Sequence, residues 1–364
     1  MEAMRDLIQV EHGAILAIQL GDIGDVVLTL PALRALKTNF PHNRLVVCVR
    51  QKAGELMTLC SDVDRVITVD KRKRSLLAEI KYQIAFLSSL KNERYGLSID
   101  FRTGTRGAVA TLIANARTRL GFFDAEEKLW RNRVFTHLVH PEYQSEIHVS
   151  DYYFELVRWL GIMSDPPPPV LPVSDALKEN VKQRLNANEI DPEAPFIVLQ
   201  PFSLWSYKEL HPDKYVDLAD RITHSCKVPI VLSGAPNESD RAQAIADRCS
   251  GQVINMAGQT TIGELTGLLA LATLFIGVDS AGVHIAAATG TPTVSIFGPS
   301  APSSWAPRGD RHIAVQPHRA CVPCRRKGCD DSGISQCLDA LSVDHIMDAA
   351  RPTLGTLFPS WTVR

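Results

Sequence analysis

Two aspartates sit in a turn that would ordinarily hold phosphate. The stretch GDIGDVVLTLPALRAL, residues 21–36, follows the apolar run AILAIQL and leads into an amphipathic stretch containing Pro31. A glycine-rich turn between strand and helix usually cradles phosphate on free backbone N–H groups, yet this one carries Asp22 and Asp25. A second such turn lies in LFIGVDSAGVHIAAATG, residues 274–290. There the small Ser280, Ala281 and Gly282 leave the first amides of a helix accessible. The helix dipole is positive at that end, and His284 is placed to donate, so a diphosphate fits the chemistry. In QPFSLWSYKELHPDKY, residues 200–215, Ser203 offers a hydroxyl and Lys208 a charge able to clamp a leaving diphosphate. Glu238, in LSGAPNESD, can accept from ribose hydroxyls. Each residue also has a simpler use. Asp25, Asp279, Ser280 and Glu238 suit helix caps, His284 suits a core position, and Lys208 suits a solvated loop.

The elements that must position these residues alternate along the chain. Strands are expected at 14–20, 44–50, 65–69, 96–101, 196–200, 228–234, 252–258, 274–279 and 293–298, mostly as unbroken apolar runs. Such runs suit parallel strands covered on both faces. Helical patterns at 26–38, 106–116, 149–160, 176–186, 211–224 and 262–272 lie between them. This is βαβ alternation, hence doubly wound parallel sheets. The proline-rich SDPPPPVLPVSD breaks the alternation once and reads as a stiff linker. The expected division is 1–165, a linker 166–175, 176–345, and a C-terminal tail 346–364. Two such halves would leave a cleft for a ligand.

The 364 residues are 45% hydrophobic and 22% charged, with a formal net charge of −1. This is a globular composition without the basic excess of a nucleic-acid binder. No stretch approaches a membrane span of roughly 20 apolar residues, and no signal peptide is evident, so a cytoplasmic protein is expected. No G-x-G-x-x-G follows an early strand, which disfavours a Rossmann oxidoreductase.

In combination, GDIGDVVLTLPALRAL, the lysine followed by HPDKY, DSAGVHIAAATGTPTVSIFGPSAPSSW and a late cysteine cluster resemble the ADP-heptose:lipopolysaccharide heptosyltransferases, glycosyltransferase family 9. The resemblance covers residues 14–340. It implies an α/β GT-B fold, two Rossmann-like domains facing across a cleft, the first binding acceptor and the second ADP-sugar. It implies inverting, metal-independent transfer of heptose from ADP-heptose to a sugar hydroxyl of the lipopolysaccharide inner core. By motif match Asp25 takes the place of the catalytic base. Ser203, Lys208, Glu238, Thr260, Asp279, Ser280, Ala281, Gly282 and His284 match the donor site. The family often has a serine pair where this chain has Gly21 and Asp22. A GT-B transferase using another nucleotide sugar, or a non-catalytic sugar-nucleotide-binding protein, are the alternatives.

That resemblance suggests why the first turn is acidic. An acceptor hydroxyl must lose a proton as it attacks, and a carboxylate within hydrogen-bond reach can take it. Asp22 is then an acceptor-side residue, joined by Arg102 and Arg106 after a strand end. The run Lys71, Arg72, Lys73 and Arg74 can steer an anionic acceptor and an anionic membrane surface, which predicts a location at the inner face of the cytoplasmic membrane. The same run also fits a solvated face. Cys321, Cys324, Cys329 and Cys337 have C-x₂-C-x₄-C-x₇-C spacing. Structural zinc, free or paired thiols and an iron–sulfur cluster all remain open for them.

Overall fold

Unbroken apolar runs can be buried on both faces only if helices cover both sides of the sheet, and this chain builds that arrangement twice. A computed structural model describes residues 10, 13–70, 75–126, 130–140 and 146–358. It divides into two units, 1–169 and 170–364.

The N-terminal unit runs β1 (Ala14–Gln19), α1 (Ile23–Asn39), β2 (Leu45–Arg50), α2 (Gln51–Thr58), β3 (Arg65–Val69), α3 (Leu76–Lys91), β4 (Tyr95–Asp100), α4 (Thr105–Ala114), β5 (Thr118–Phe122), β6 (His137–Val139) and α5 (Val149–Trp159). Its sheet order is β3-β2-β1-β4-β5-β6, with every pair parallel. The C-terminal unit runs α6 (Asp175–Ala187), β7 (Ile197–Gln200), α7 (Pro212–Cys226), β8 (Ile230–Leu232), α8 (Ser239–Ala246), β9 (Val253–Asn255), α9 (Ile262–Leu271), β10 (Leu274–Val278), α10 (Ala281–Ala288), β11 (Thr293–Ile296), α11 (Pro302–Trp305), β12 (His312–Val315), α12 (Gln336–Ala340) and α13 (Val343–Leu357). Its order, β12-β11-β10-β7-β8-β9, is the same topology and again parallel.

This topology dictates where function can sit. In open α/β sheets ligands bind beyond the carboxyl ends of the strands, where the strand order reverses. In the N-terminal unit that point lies between β1 and β4, which pair Ile18 with Asp100. In the C-terminal unit it lies between β7 and β10, which pair Gln200 with Gly277.

Three expectations need correction. The helix after the first turn is not amphipathic. Every residue of α1 from Asp25 to Leu33 is buried, because α1 lies on the sheet and also packs against α5. The segment 346–364 is not a tail as far as residue 358. It continues α13, whose Ile346, Ala350 and Leu354, with the following Phe358, join the core of the C-terminal sheet. Burial of Ile346 or Leu354 is worth about 1.5–3 kcal/mol, enough to fix a helix that contains Pro352. Finally, Leu171 within the proline-rich stretch is buried and donates to the Ala288 carbonyl at 2.8 Å, so that part belongs to the C-terminal unit.

Candidate active site

At the N-terminal switch point the chain leaves β1 through Gln19, whose amide oxygen accepts from Gly21 N–H at 3.0 Å. Its amide nitrogen donates to Thr29 Oγ1 at 2.7 Å, and that hydroxyl donates to the Asp25 carbonyl at 2.8 Å. The start of α1 is therefore tied to the strand. Asp25 is only 8% exposed. Its Oδ1 accepts from the Tyr153 hydroxyl at 2.6 Å and pairs with Arg102 Nη1 at 3.0 Å. Its Oδ2 accepts from Asp22 N–H at 2.8 Å. Oδ1 is then saturated, while Oδ2 keeps one lone pair for an incoming proton. Gly21 makes this possible, since a Cβ there would lie 2.5 Å from Oδ2.

Sequence reading missed Tyr153, which lies 128 residues from Asp25 on α5. Burial, reinforced by the Asp25 charge, raises its phenol well above the ordinary range, so it remains a donor. Asp22 itself pairs with Arg50 Nη1 at 2.9 Å and Lys52 Nζ at 2.6 Å. The first turn is thus not acidic in sum, since Arg50, Lys52 and Arg102 outnumber its two carboxylates. Arg106 is exposed in the first turn of α4. Lys71, Arg72, Lys73 and Arg74 lie outside the described residues.

Two further buried groups hold Arg102. Its N–H donates to Asp100 Oδ1 at 3.1 Å and its carbonyl accepts from Arg131 Nη2 at 2.9 Å. Asp100 Oδ2 is buried without a hydrogen-bond partner. Arg131 approaches it only to 3.9 Å, while its Nη1 donates to the Phe122 carbonyl and its Nη2 to the Arg102 carbonyl. Burial therefore outweighs that cation and pushes the Asp100 carboxyl up to about 7. Unfolded, an aspartate titrates near 3.9. Between these values the native chain holds a proton that the unfolded chain has released, so stability falls as pH rises. The contribution is intact below about pH 4 and lost above about 7, with a slope of at most ~1.4 kcal/mol per pH unit. Asp100→Asn should flatten that limb in urea melts at pH 5 and 8. An unchanged pH slope in the variant would exclude Asp100 as its origin.

At the C-terminal switch point a short turn, Ser206–Lys208, sets Lys208 Nζ 2.6 Å from Asp279 Oδ2. Ser203 lies beside Asp279. Its N–H donates to Glu209 Oε1 at 3.0 Å, and its hydroxyl lies 3.5 Å from the Asp279 carbonyl. Ser280 precedes α10 in extended conformation, but its side chain does not cap the helix, and its Oγ is buried without a partner. The first amides of α10 are left to another acceptor. Gly282 is required here, since a Cβ would lie 1.9 Å from Gln200 Oε1, itself buried and without a partner. Next to it comes Ala281, the first residue of α10. His284 is buried within α10, its ring 6.4 Å from that of Trp305.

The looser matches are placed differently. Glu238 Oε2 accepts from Ala235 N–H at 2.6 Å, closing its own turn, and burial raises its carboxyl. Thr260 sits in the turn before α9, but the cap is Thr261, which accepts from Glu264 N–H at 3.2 Å. Of the cysteine cluster, Cys337 is buried in the C-terminal core, Cys324 and Cys329 are half-buried and Cys321 is exposed. Among the described residues no group of three or more His, Cys, Asp or Glu is arranged to hold a metal ion. The cysteine segment instead braces the Lys208 turn. Ser335 Oγ donates to the Tyr207 carbonyl at 2.6 Å, and Lys327 lies 5.7 Å from the Trp205 ring. No sequence pattern pointed to that bracing.

Residues 84–334 match the model of glycosyltransferase family 9 (heptosyltransferase). Lipopolysaccharide heptosyltransferase 3 of Escherichia coli is 27% identical over 295 residues, 80% of this chain and 85% of that protein. Among solved structures, a glycosyltransferase family 9 protein from Veillonella parvula superposes with a TM-score of 0.79 at 18% identity, covering 96% of this chain and 99% of its own. E. coli heptosyltransferase WaaC, solved with ADP-2-deoxy-2-fluoro heptose, gives 0.69 at 19% identity, covering 93% and 99%. The fold class is GT-B.

Proposed function

Because the chain belongs to glycosyltransferase family 9, the heptosyltransferases, we propose that it transfers heptose from ADP-heptose to a sugar hydroxyl of the lipopolysaccharide inner core. The observation that carries this reading is positional. Each unit sets its family-matched residues at its own switch point, Asp25 beyond β1 and the Lys208–Asp279 pair beyond β7 and β10. The N-terminal unit is assigned the acceptor and the C-terminal unit the ADP-sugar. The donor is supported by the ADP-heptose analogue held by the E. coli relative.

In the proposed reaction the acceptor O–H gives its proton to Asp25 Oδ2 as its oxygen bonds to the anomeric carbon. The bond from that carbon to the diphosphate breaks, and ADP leaves with the electron pair. Attack opposite the leaving group inverts the anomeric centre. Tyr153 and Arg102 hold Oδ1, so Oδ2 faces the acceptor in one orientation. Lys208 and the amides of Ala281 and Gly282 receive the charge that develops on the diphosphate. Ser203 and Glu238 are assigned to the nucleotide, and Arg102 and Arg106 to the anionic acceptor.

With lysine and amides supplying positive charge, turnover should survive exhaustive chelation of divalent ions. Loss of turnover in EDTA, restored by magnesium, would contradict this. We assign the protein to the cytoplasmic face of the membrane; among the described residues no helix is long and apolar enough to cross it. Thermal shift with ADP, UDP, GDP and NAD tests the donor class, since a specific ligand stabilises by mass action. ADP should give the largest shift. A larger shift with UDP or GDP would replace ADP-heptose with another nucleotide sugar.

A further inference from the structure

Helix α3 is apolar on two faces. Its inner face holds Phe86 against the N-terminal core and buries Leu90 within it, and the Tyr82 hydroxyl accepts from Asp70 N–H at 2.6 Å. Its outer face exposes Leu76 (77%), Leu77 (74%), Ile80 (48%) and Ile84 (62%). At 3.6 residues per turn these four side chains fall within one arc of about 100°. Isolated exposed apolar residues are ordinary, but a contiguous stripe of four marks an interaction surface.

The charge of the sequence that carries the stripe identifies what it meets. Residues 71–91 contain six cations, Lys71, Arg72, Lys73, Arg74, Lys81 and Lys91, against the single acid Glu79. Lys81 is exposed at the edge of the stripe. The first four cations lie outside the described residues and enter only through their place in the sequence, immediately before α3. A second copy of the chain would set this excess of positive charge against itself. An anionic lipid surface complements it, and an apolar stripe in a cation-rich stretch of sequence suits a helix that lies in a headgroup layer.

We propose that the outer face of α3 docks the protein onto an anionic bilayer, with Leu76, Leu77, Ile80 and Ile84 seated at the boundary between headgroups and acyl chains. This deepens the peripheral membrane location assigned above and rests on it.

Vesicle flotation of the full chain tests it, without lipopolysaccharide or nucleotide. Vesicles of about one part phosphatidylglycerol to three parts phosphatidylethanolamine should carry the protein, and pure phosphatidylcholine should not. The variant Leu76→Gln, Leu77→Gln, Ile80→Gln, Ile84→Gln should lose binding by about tenfold or more. All four side chains are exposed, so its melting temperature and ADP-induced shift should match the parent. Lys71→Gln, Arg72→Gln, Lys73→Gln, Arg74→Gln should also weaken binding, and parent binding should fall with salt. Turnover of a water-soluble, deacylated acceptor by the apolar-face variant should equal the parent's. Parent protein that ignores anionic vesicles, or a variant that binds as the parent does, would overturn the proposal. So would a parent that sediments as a dimer which the variant dissociates. If neither protein uses the soluble acceptor, the transferase reading fails while the docking result stands on its own.

Discussion

Asp25→Asn lowers kcat by roughly 10²-fold or more, while ADP affinity stays within a few-fold. Asparagine keeps the size of the side chain, and its oxygen can still accept from Tyr153 and Arg102. Its nitrogen then faces Asp22 N–H, where the carboxylate accepted at 2.8 Å. That bond is lost, at a stability cost of about 1 kcal/mol. Arg102 loses a charged partner, but its side chain is 45% exposed, so water compensates most of the loss. What asparagine cannot do is take a proton at the position of Oδ2. The kcat loss should therefore appear at saturating acceptor and persist at every pH tested. Near-normal turnover would make Asp25 a helix cap and direct the search for the base to Asp22, which is already committed to Arg50 and Lys52.

Lys208→Ala acts on the other substrate and on the fold. It should raise the dissociation constant for ADP about tenfold or more and lower kcat as well, because the departing diphosphate loses its cation. Truncating this lysine opens no core cavity, but it removes the partner of a buried charge. Asp279 is 4% exposed and has Lys208 at 2.6 Å. Removing the lysine strands a buried carboxylate, which costs about 1–3 kcal/mol or more. The double variant Lys208→Ala, Asp279→Asn should recover much of that stability without recovering turnover. Full recovery of turnover in the double variant would mean that Lys208 serves only to neutralise Asp279.

What the sequence made legible follows from how each element is buried. Central strands β1, β2, β4, β7, β10 and β11 are sealed on both faces and read as apolar runs. Edge strands β6 and β12 are short and partly exposed, so His137–Val139 and His312–Val315 carry no such run. Helix α13 carries Val343, Ile346, Ala350 and Leu354 at helical spacing, with Pro352 interrupting the pattern. The two switch-point loops were legible because their glycines and aspartates sit next to strands. Tyr153, Asp100 and Arg131 were not, because their roles arise only when β4, α5 and the turn before β6 are folded around Asp25 and Arg102.

The anomeric configuration of the product decides whether transfer inverts with Asp25 as its base. Purified protein is supplied with ADP-heptose of one defined anomer and an inner-core acceptor lacking that heptose, and the new glycosidic linkage is assigned by NMR alongside ADP release. One ADP per linkage formed, a linkage of the opposite configuration to the donor, and linkage formation slowed by roughly 10²-fold or more when Asp25 is asparagine are expected. A linkage of retained configuration, or ADP released without any product on the acceptor, would contradict this.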